Sequence, residues 1–297
     1  MISDDFVAAF GLDNAPVRGR VVRLGALALD PILRRHDYPR AVAMLLGEAL
    51  SLAALLHALL KSEGRLIVQA QGEGPVSLLV AECGEQGALR GYARLREGAA
   101  ELLRAAHRMA PRDLLGEGAL AITLDQGENR APHQGMVDLN GASLGECAEA
   151  YFRVSEQVDT RIRLAIGEVV DAQGGASWRG GGFLLQRIAA DEARGDPEED
   201  WSRVGYLFAT LTDEEMVDPD LPADRLLYRL FHEEGARMGE PSGLRDQCSC
   251  DEGRLVAVMR QFKAEDVSDL IEPDGFLHAK CQFCARDYKI DPKALGA

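Results

Sequence analysis

Apolar and polar positions alternate along ALAITLD (119–125), placing Leu120, Ile122 and Leu124 on one side of a strand. RLIVQAQG (65–72), VSLLVAEC (76–83) and LRGYARL (89–95) are short β-rich runs cut by Gly and Pro, as in a meander. HQGMVDL (133–139) and the alternating RIRLAI (161–166) add two more strands, and GGGFLLQRI (180–188) predicts another. The period changes in SLGECAEAYFRVSEQV (143–158). Leu144, Cys147, Ala148 and Tyr151 recur at i, i+3, i+4 and i+7, and Ser143 with Glu146 forms a capping-box pattern. Runs of strands with few crossover helices predict an α+β domain over residues 1–190, with antiparallel or mixed sheets.

AVAMLLGEALSLAALLHALL (41–60) is apolar all round and long enough to span a bilayer. It carries Glu48 and His57, and a lone acid at mid-membrane costs about 2.5–3.5 kcal/mol. Pro39 suits the helix start, so the segment is expected to be the buried helix of a soluble core. The first residues, MISDDFVAAFGLDN, have neither a basic nor an apolar export region, which predicts a cytoplasmic protein. The net charge of −15 over 297 residues repels phosphate backbones and anionic lipid, so neither nucleic acid nor membrane is an expected partner.

That charge is uneven. Residues 191–240 hold fifteen Asp/Glu against five Lys/Arg, −10 of the total. Within this acidic stretch, Asp196-Pro197 starts a helix striped by Trp201, Val204, Gly205 and Phe208. Pro222 starts a second, with Leu226, Leu227, Leu230 and Phe231 on one side. Helices this short need a surface to lie on, and their crowded acids weaken that docking. Residues 191–243 therefore read as a helical acidic linker whose order is conditional.

Residues 244–297 form a third region. One helical pattern (Leu255, Val258, Met259, Phe262), a second short run AEDVSDLI and a PDG turn (273–275) supply little apolar material. A unit this small needs a metal or disulfide. Cys248 and Cys250 stand in QCSC, and Cys281 and Cys284 in HAKCQFCARDYKI, with CQFC on a turn between two strands. In a reducing compartment such thiols point to metal or redox chemistry rather than structural disulfides. Four thiolates at about 2.3 Å make a closed tetrahedral Zn²⁺ site with no position left for a substrate. Iron–sulfur ligation also fits four cysteines. Neighbouring thiolates can pair once an oxidant removes the metal, so the cluster is able to be a metal site, a switch, or both. Cys83 and Cys147 lie on apolar faces and read as buried small hydrophobes. His36, His57, His107, His133 and His232 have no ligand spacing, and His278 is a spare ligand at most. QGEGP (71–75) and SWRGGG (177–182) lack the Lys-Ser/Thr of a P-loop, and no nucleophile–base pattern is present. The chain is not expected to be an enzyme.

With these stretches in view, the chain resembles the redox-regulated 33-kDa heat-shock chaperones of bacteria nearly end to end. The likeness is carried by VRGRVVRL (17–24), LDPILRRHDYPRAVAMLLGEAL (29–50), LKSEGRLIVQAQGEGP (60–75), RGYAR (90–94), HQGMVDL, SEQVDTR (155–161), GGFLLQR (181–187), LLYRLFHEE (226–234) and CSC with CQFC. Acidic Asp251-Glu252 after CSC, and Gln282 within CQFC, depart from the common pattern without touching the four cysteines. The resemblance implies an ATP-independent holdase of the oxidative stress response. Cys248, Cys250, Cys281 and Cys284 would bind Zn²⁺ when reduced. Oxidation would form Cys248–Cys250 and Cys281–Cys284 bridges, release the metal and undock the linker. Apolar surface on the 1–190 domain and the linker would then hold unfolding client proteins, with the chain a monomer when reduced and a homodimer when oxidised. Two other readings remain: a binding module with a purely structural zinc ribbon, its basic face formed by Lys280, Arg286, Lys289 and Lys293, and a CxxC thiol oxidoreductase.

Overall fold

A computed structural model of the chain describes residues 4–60, 63–127, 130–189, 196–262 and 267–295. The chain separates into two compact units, Met1–Asp246 and Gln247–Ala297. Elements are numbered in chain order.

The first unit is α+β, built on two sheets. One runs β3 (Arg65–Gly72), β4 (Val76–Cys83), β5 (Ala88–Leu95), β6 (Gly118–Asp125) and β7 (His133–Asp138) in the antiparallel order β5-β4-β3-β6-β7, with β12 (Arg245–Asp246) pairing in parallel on β5. The other places β1 (Phe6–Leu12), β2 (Val17–Leu24), β9 (Ala176–Arg187) and β8 (Thr160–Val170) side by side, all antiparallel, with β10 (Ala236–Met238) and β11 (Ser242–Gly243) pairing along β1. Short helices α1 (Leu29–Arg34), α3 (Ala99–Leu102) and α4 (Pro111–Leu115) fill the connections.

The apolar segment forms α2, Arg40–His57, whose third and fourth amides, those of Val42 and Ala43, donate to the Pro39 carbonyl. It packs on β3, β4 and β5 on one side and on β2, β8 and β9 on the other. A helix covered on every side has no polar face to show, which is why α2 reads like a membrane span. Though long and apolar enough to cross a bilayer, α2 has 83% of its residues buried inside the protein. Gly182 on β9 admits Leu55 of α2: a Cβ there would lie 3.0 Å from Leu55, Leu164 and Val22. Helix α5 (Leu144–Tyr151) begins at Ser143, whose Oγ accepts from the Glu146 amide. The Glu146 carboxylate accepts from Ala142 rather than Ser143, so the capping box is displaced by one residue.

The acidic segment lies on the outer face of the β1-β2-β9-β8 sheet. Helix α6 (Pro197–Ala209) starts at Asp196, α7 (Asp213–Val217) at a full capping box between Thr212 and Glu215, and α8 (Ala223–Phe231) directly after Pro222. Val204, Phe208, Leu211, Met216, Leu226, Leu227, Leu230 and Phe231 pack with Phe6, Phe10, Val21, Phe183 and Leu185 of the sheet. Phe231 stacks on Phe10 with ring centroids 6.3 Å apart. Several of the acids meet arginines here instead of one another. Arg187 holds Glu198 at 2.7 Å, Asp213 takes Arg108 at 2.6 Å and Arg163 at 3.3 Å, and Arg161 lies over the Trp201 ring. Arg23 and Arg179 donate to the backbone carbonyls of Asp218 and Val217.

The second unit is a small fold. Hairpin strands β13 (Leu277–Lys280) and β14 (Asp287–Ile290) pair antiparallel, and α9 (Glu252–Met259) is capped by Asp251. Among the described residues its buried apolar side chains are Val267, Leu277 and Ile290. The AEDVSDLI run lies partly outside the described residues.

Candidate metal centre

CQFC follows β13 without a break, and the turn it forms is closed by backbone bonds. Cys281 N–H donates to Arg286 O, and Ala285 N–H donates to Cys281 O, both at 2.9 Å. Ala285 takes a left-handed φ of 57° to turn the chain into β14. The CSC pair stands outside any helix or strand, just before α9. Together the two motifs bring the Sγ atoms of Cys248, Cys250, Cys281 and Cys284 within 4.8 Å of one another. Between the motifs, Cys250 and Cys284 stand 3.2 Å apart and Cys248 and Cys281 3.8 Å apart.

The donor set fits a metal ion. Sulfurs at about 2.3 Å around one tetrahedral ion stand about 3.8 Å apart, close to the spacings seen. Soft thiolates suit zinc or iron–sulfur chemistry and not magnesium or calcium. With four sulfurs on one ion no open position remains, as in structural sites.

Burial acts against ionisation of Cys250, but hydrogen bonds from Tyr288, first, and then from the other three thiols outweigh it and bring the group down to about 7. Burial, together with its role as donor to Cys250, pushes Cys284 up to about 12. Tyr288 donates its phenolic hydrogen to Cys250 Sγ at 3.0 Å and is itself raised to about 12 by that bond. One shared proton set thus favours thiolate at Cys250.

His278 is engaged elsewhere, with its Nε2 2.9 Å from Asp274. Lys289 pairs with the same Asp274 at 3.0 Å and lies over the Phe276 ring, so the basic cluster around the hairpin is partly spent on internal contacts. CQFC sits between strands, without the helix N-terminus that lowers the attacking thiol of a thioredoxin-like CxxC. Cys83 is fully buried and its thiol is pushed up to about 12; Cys147 is raised by burial as well. The glycines of SWRGGG serve packing, not phosphate. Tyr288 and the arginines that meet the acidic segment were not singled out by sequence, because their partners lie far away along the chain.

Comparison with known proteins agrees along the whole length. The family model described as "Hsp33 protein" matches residues 5–291. A 33 kDa chaperonin of Caulobacter vibrioides is 49% identical over 292 residues, covering 98% of this chain and 96% of that protein. One from Pseudomonas fluorescens is 37% identical over 294 residues, covering 97% and 91%. The crystal structure of a 33 kDa chaperonin (heat shock protein 33 homolog) from Thermotoga maritima superposes with a TM-score of 0.78 at 22% identity, covering 98% of this chain and 97% of that one, a likeness of fold.

Proposed function

As the chain belongs to the Hsp33 family, we propose that it is a redox-regulated, ATP-independent holdase of the cytoplasm, switched by Cys248, Cys250, Cys281 and Cys284. The carrying observation is the convergence of four sulfurs in a unit whose described core is three buried apolar side chains. Each such side chain contributes about 1.5–3 kcal/mol, too little to order some fifty residues at about 1–2 kcal/mol each. Bound zinc would join CSC to CQFC and supply folding free energy, about 10–16 kcal/mol in small zinc peptides. The four sulfurs hold that link only as thiolates.

A peroxide that takes electrons from these sulfurs removes the ligands. Bridges within each motif, Cys248–Cys250 and Cys281–Cys284, would close very small loops and leave the 30-residue connection open. The unit beyond Asp246 then unfolds. The acidic segment, anchored at its end by β11 on β1 and β12 on β5, loses a folded neighbour in the chain and leaves the sheet. Phe6, Phe10, Val21, Phe183 and Leu185, with the apolar stripes of α6 and α8, become available to unfolding clients. Such a contiguous apolar surface is what client capture requires. The oxidised chain associates as a dimer and the reduced chain is a monomer.

The reading is tested on the full chain by measuring zinc content and suppression of aggregation of a denatured client, before and after peroxide at elevated temperature. About one zinc per chain when reduced, its loss on oxidation and a parallel gain in suppression are expected. Zinc retained through oxidation, or suppression equal in both states, would assign the metal a purely structural role.

A further inference from the structure

The edge of β1 that faces away from β2 is covered by the chain's own residues 236–244. β10 pairs antiparallel with Phe10, Gly11 and Leu12, and β11 with Phe6 and Val7. The two pairings are out of step. Phe10 stands opposite Met238 and Val7 opposite Ser242, so three steps along β1 are matched by four along the strap. The extra residue bulges within Gly239-Glu240-Pro241, and Pro241 has no N–H to give. Gly239 N–H donates to Ala9 O at 2.8 Å across this break. The strap is also shallowly rooted. Residues 239–243 are exposed, Ala236 and Met238 are half-buried, and only Leu244 is buried, its amide donating to Asp5 O at 2.7 Å. An unbroken strand laid along Phe6–Leu12 matches this edge better. It can exchange main-chain hydrogen bonds at every second residue, and alternate side chains then lie over the sheet face that α6 and α8 cover.

We infer that the β1 edge is a client-binding site in its own right, occupied by residues 236–244 as a stand-in strand until an extended segment of an unfolding polypeptide replaces them. This rests on the release of the acidic segment proposed above. The strap lies between α8, which ends at Phe231, and the second unit, which starts at Gln247, so both of its neighbours in the chain let go together. Strand addition takes its affinity from the main chain and asks only for an extended, apolar, β-prone segment. A folded protein keeps such strands paired or covered; an unfolding one offers them whatever its sequence. The edge therefore selects for the unfolded state, while the uncovered apolar face adds contact area.

The experiment uses the full-length chain, zinc-loaded and after peroxide, with a labelled, lysine-flanked Val/Thr peptide long enough to span Phe6–Leu12. The same peptide N-methylated at alternate residues lacks the donors of one edge. The Ala9 carbonyl points to the strap, and a residue of an antiparallel strand directs its N–H to the same side. Ala9→Pro thus removes a donor from this edge and leaves the pairing with β2 in place. The oxidised wild type is expected to bind the plain peptide, and the reduced chain to bind neither. The N-methylated peptide, and the plain peptide on oxidised Ala9→Pro, are each expected to bind roughly tenfold or more weakly. If Ala9→Pro does not fold, the N-methylated peptide carries the test alone. Equal binding of the two peptides would overturn the inference, the client then being held through side chains on the sheet face. So would an Ala9→Pro chain that binds peptide normally but no longer dimerises in sedimentation, which gives the edge to a second copy. Protease resistance of residues 210–221 that survives oxidation would instead show that the segment never left, and the functional proposal itself fails. Release of the segment without preference for the plain peptide sinks the edge alone.

Discussion

Glu48 is the most exacting residue of the first unit. It lies inside α2 and almost wholly buried, and its Oε2 has no hydrogen-bond partner among the described residues. Burial pushes its carboxyl up to about 7; Arg108, at 3.6 Å, and the Leu144 amide pull the other way, while Asp213 adds to the rise. A group bound more tightly to its proton in the folded state than in the unfolded one stabilises the fold fully below about 4.5, and that stabilisation is lost as pH rises through about 7. With about 1.4 kcal/mol per tenfold change in proton affinity, ionised Glu48 costs about 3 kcal/mol at pH 8. Glu48→Gln, which cannot ionise, is therefore expected to be more stable than wild type by about 1–3 kcal/mol at pH 8. The gap closes toward pH 4.5. Denaturant unfolding of both proteins across this range checks it, and a gap independent of pH would contradict the role given to burial. The four cysteines were legible because their spacing is written in the chain. Glu48 was visible only as an oddity within an apolar run, since its surroundings come from α5, α7 and the loop carrying Arg108.

Among elements, β1 shows most plainly where periodicity fails, whereas β8 and β9 of the same sheet were readable. The pattern analysis passed over β1 and β2. Phe6, Ala8 and Phe10 of β1 face the acidic segment and Val7 faces the α2 core, while Ala9 is exposed; the strand holds no polar residue to alternate. The strands of the other sheet, with one face open, alternate and were readable; Leu66, Val68 and Ala70 point inward while Ile67 and Gln69 stay partly exposed. The acidic helices were legible from their caps and stripes, but not the surface they rest on. Gly181 shows how close that contact is. A Cβ at this position of β9 would sit 2.3 Å from the Met216 carbonyl oxygen of α7. Gly181→Val is expected to lift α7 from the sheet at a cost of about 1–3 kcal/mol, an overpacking penalty. Limited proteolysis of the reduced, zinc-loaded chain should then cut between residues 210 and 221, where the wild type resists. Identical cleavage patterns would show that the docked contact is not what protects the segment.

At the scale of the molecule, two units of unequal self-sufficiency share one chain. The first has a core spanning two sheets and a buried helix; the second, among the described residues, has three buried apolar side chains and a thiol cluster. On the proposed reading, chemistry at the thiols acts on the weaker unit directly and on the stronger one only through its acidic segment. The account's central claim is that oxidation dissolves the second unit and frees the segment while the core stands. Hydrogen–deuterium exchange of the full chain, zinc-loaded and after peroxide, tests it most directly. Residues 247–295 and helices α6–α8 are predicted to lose protection, with α2 and β3–β6 unchanged. Protection of 247–295 that persists after the zinc has left would contradict it.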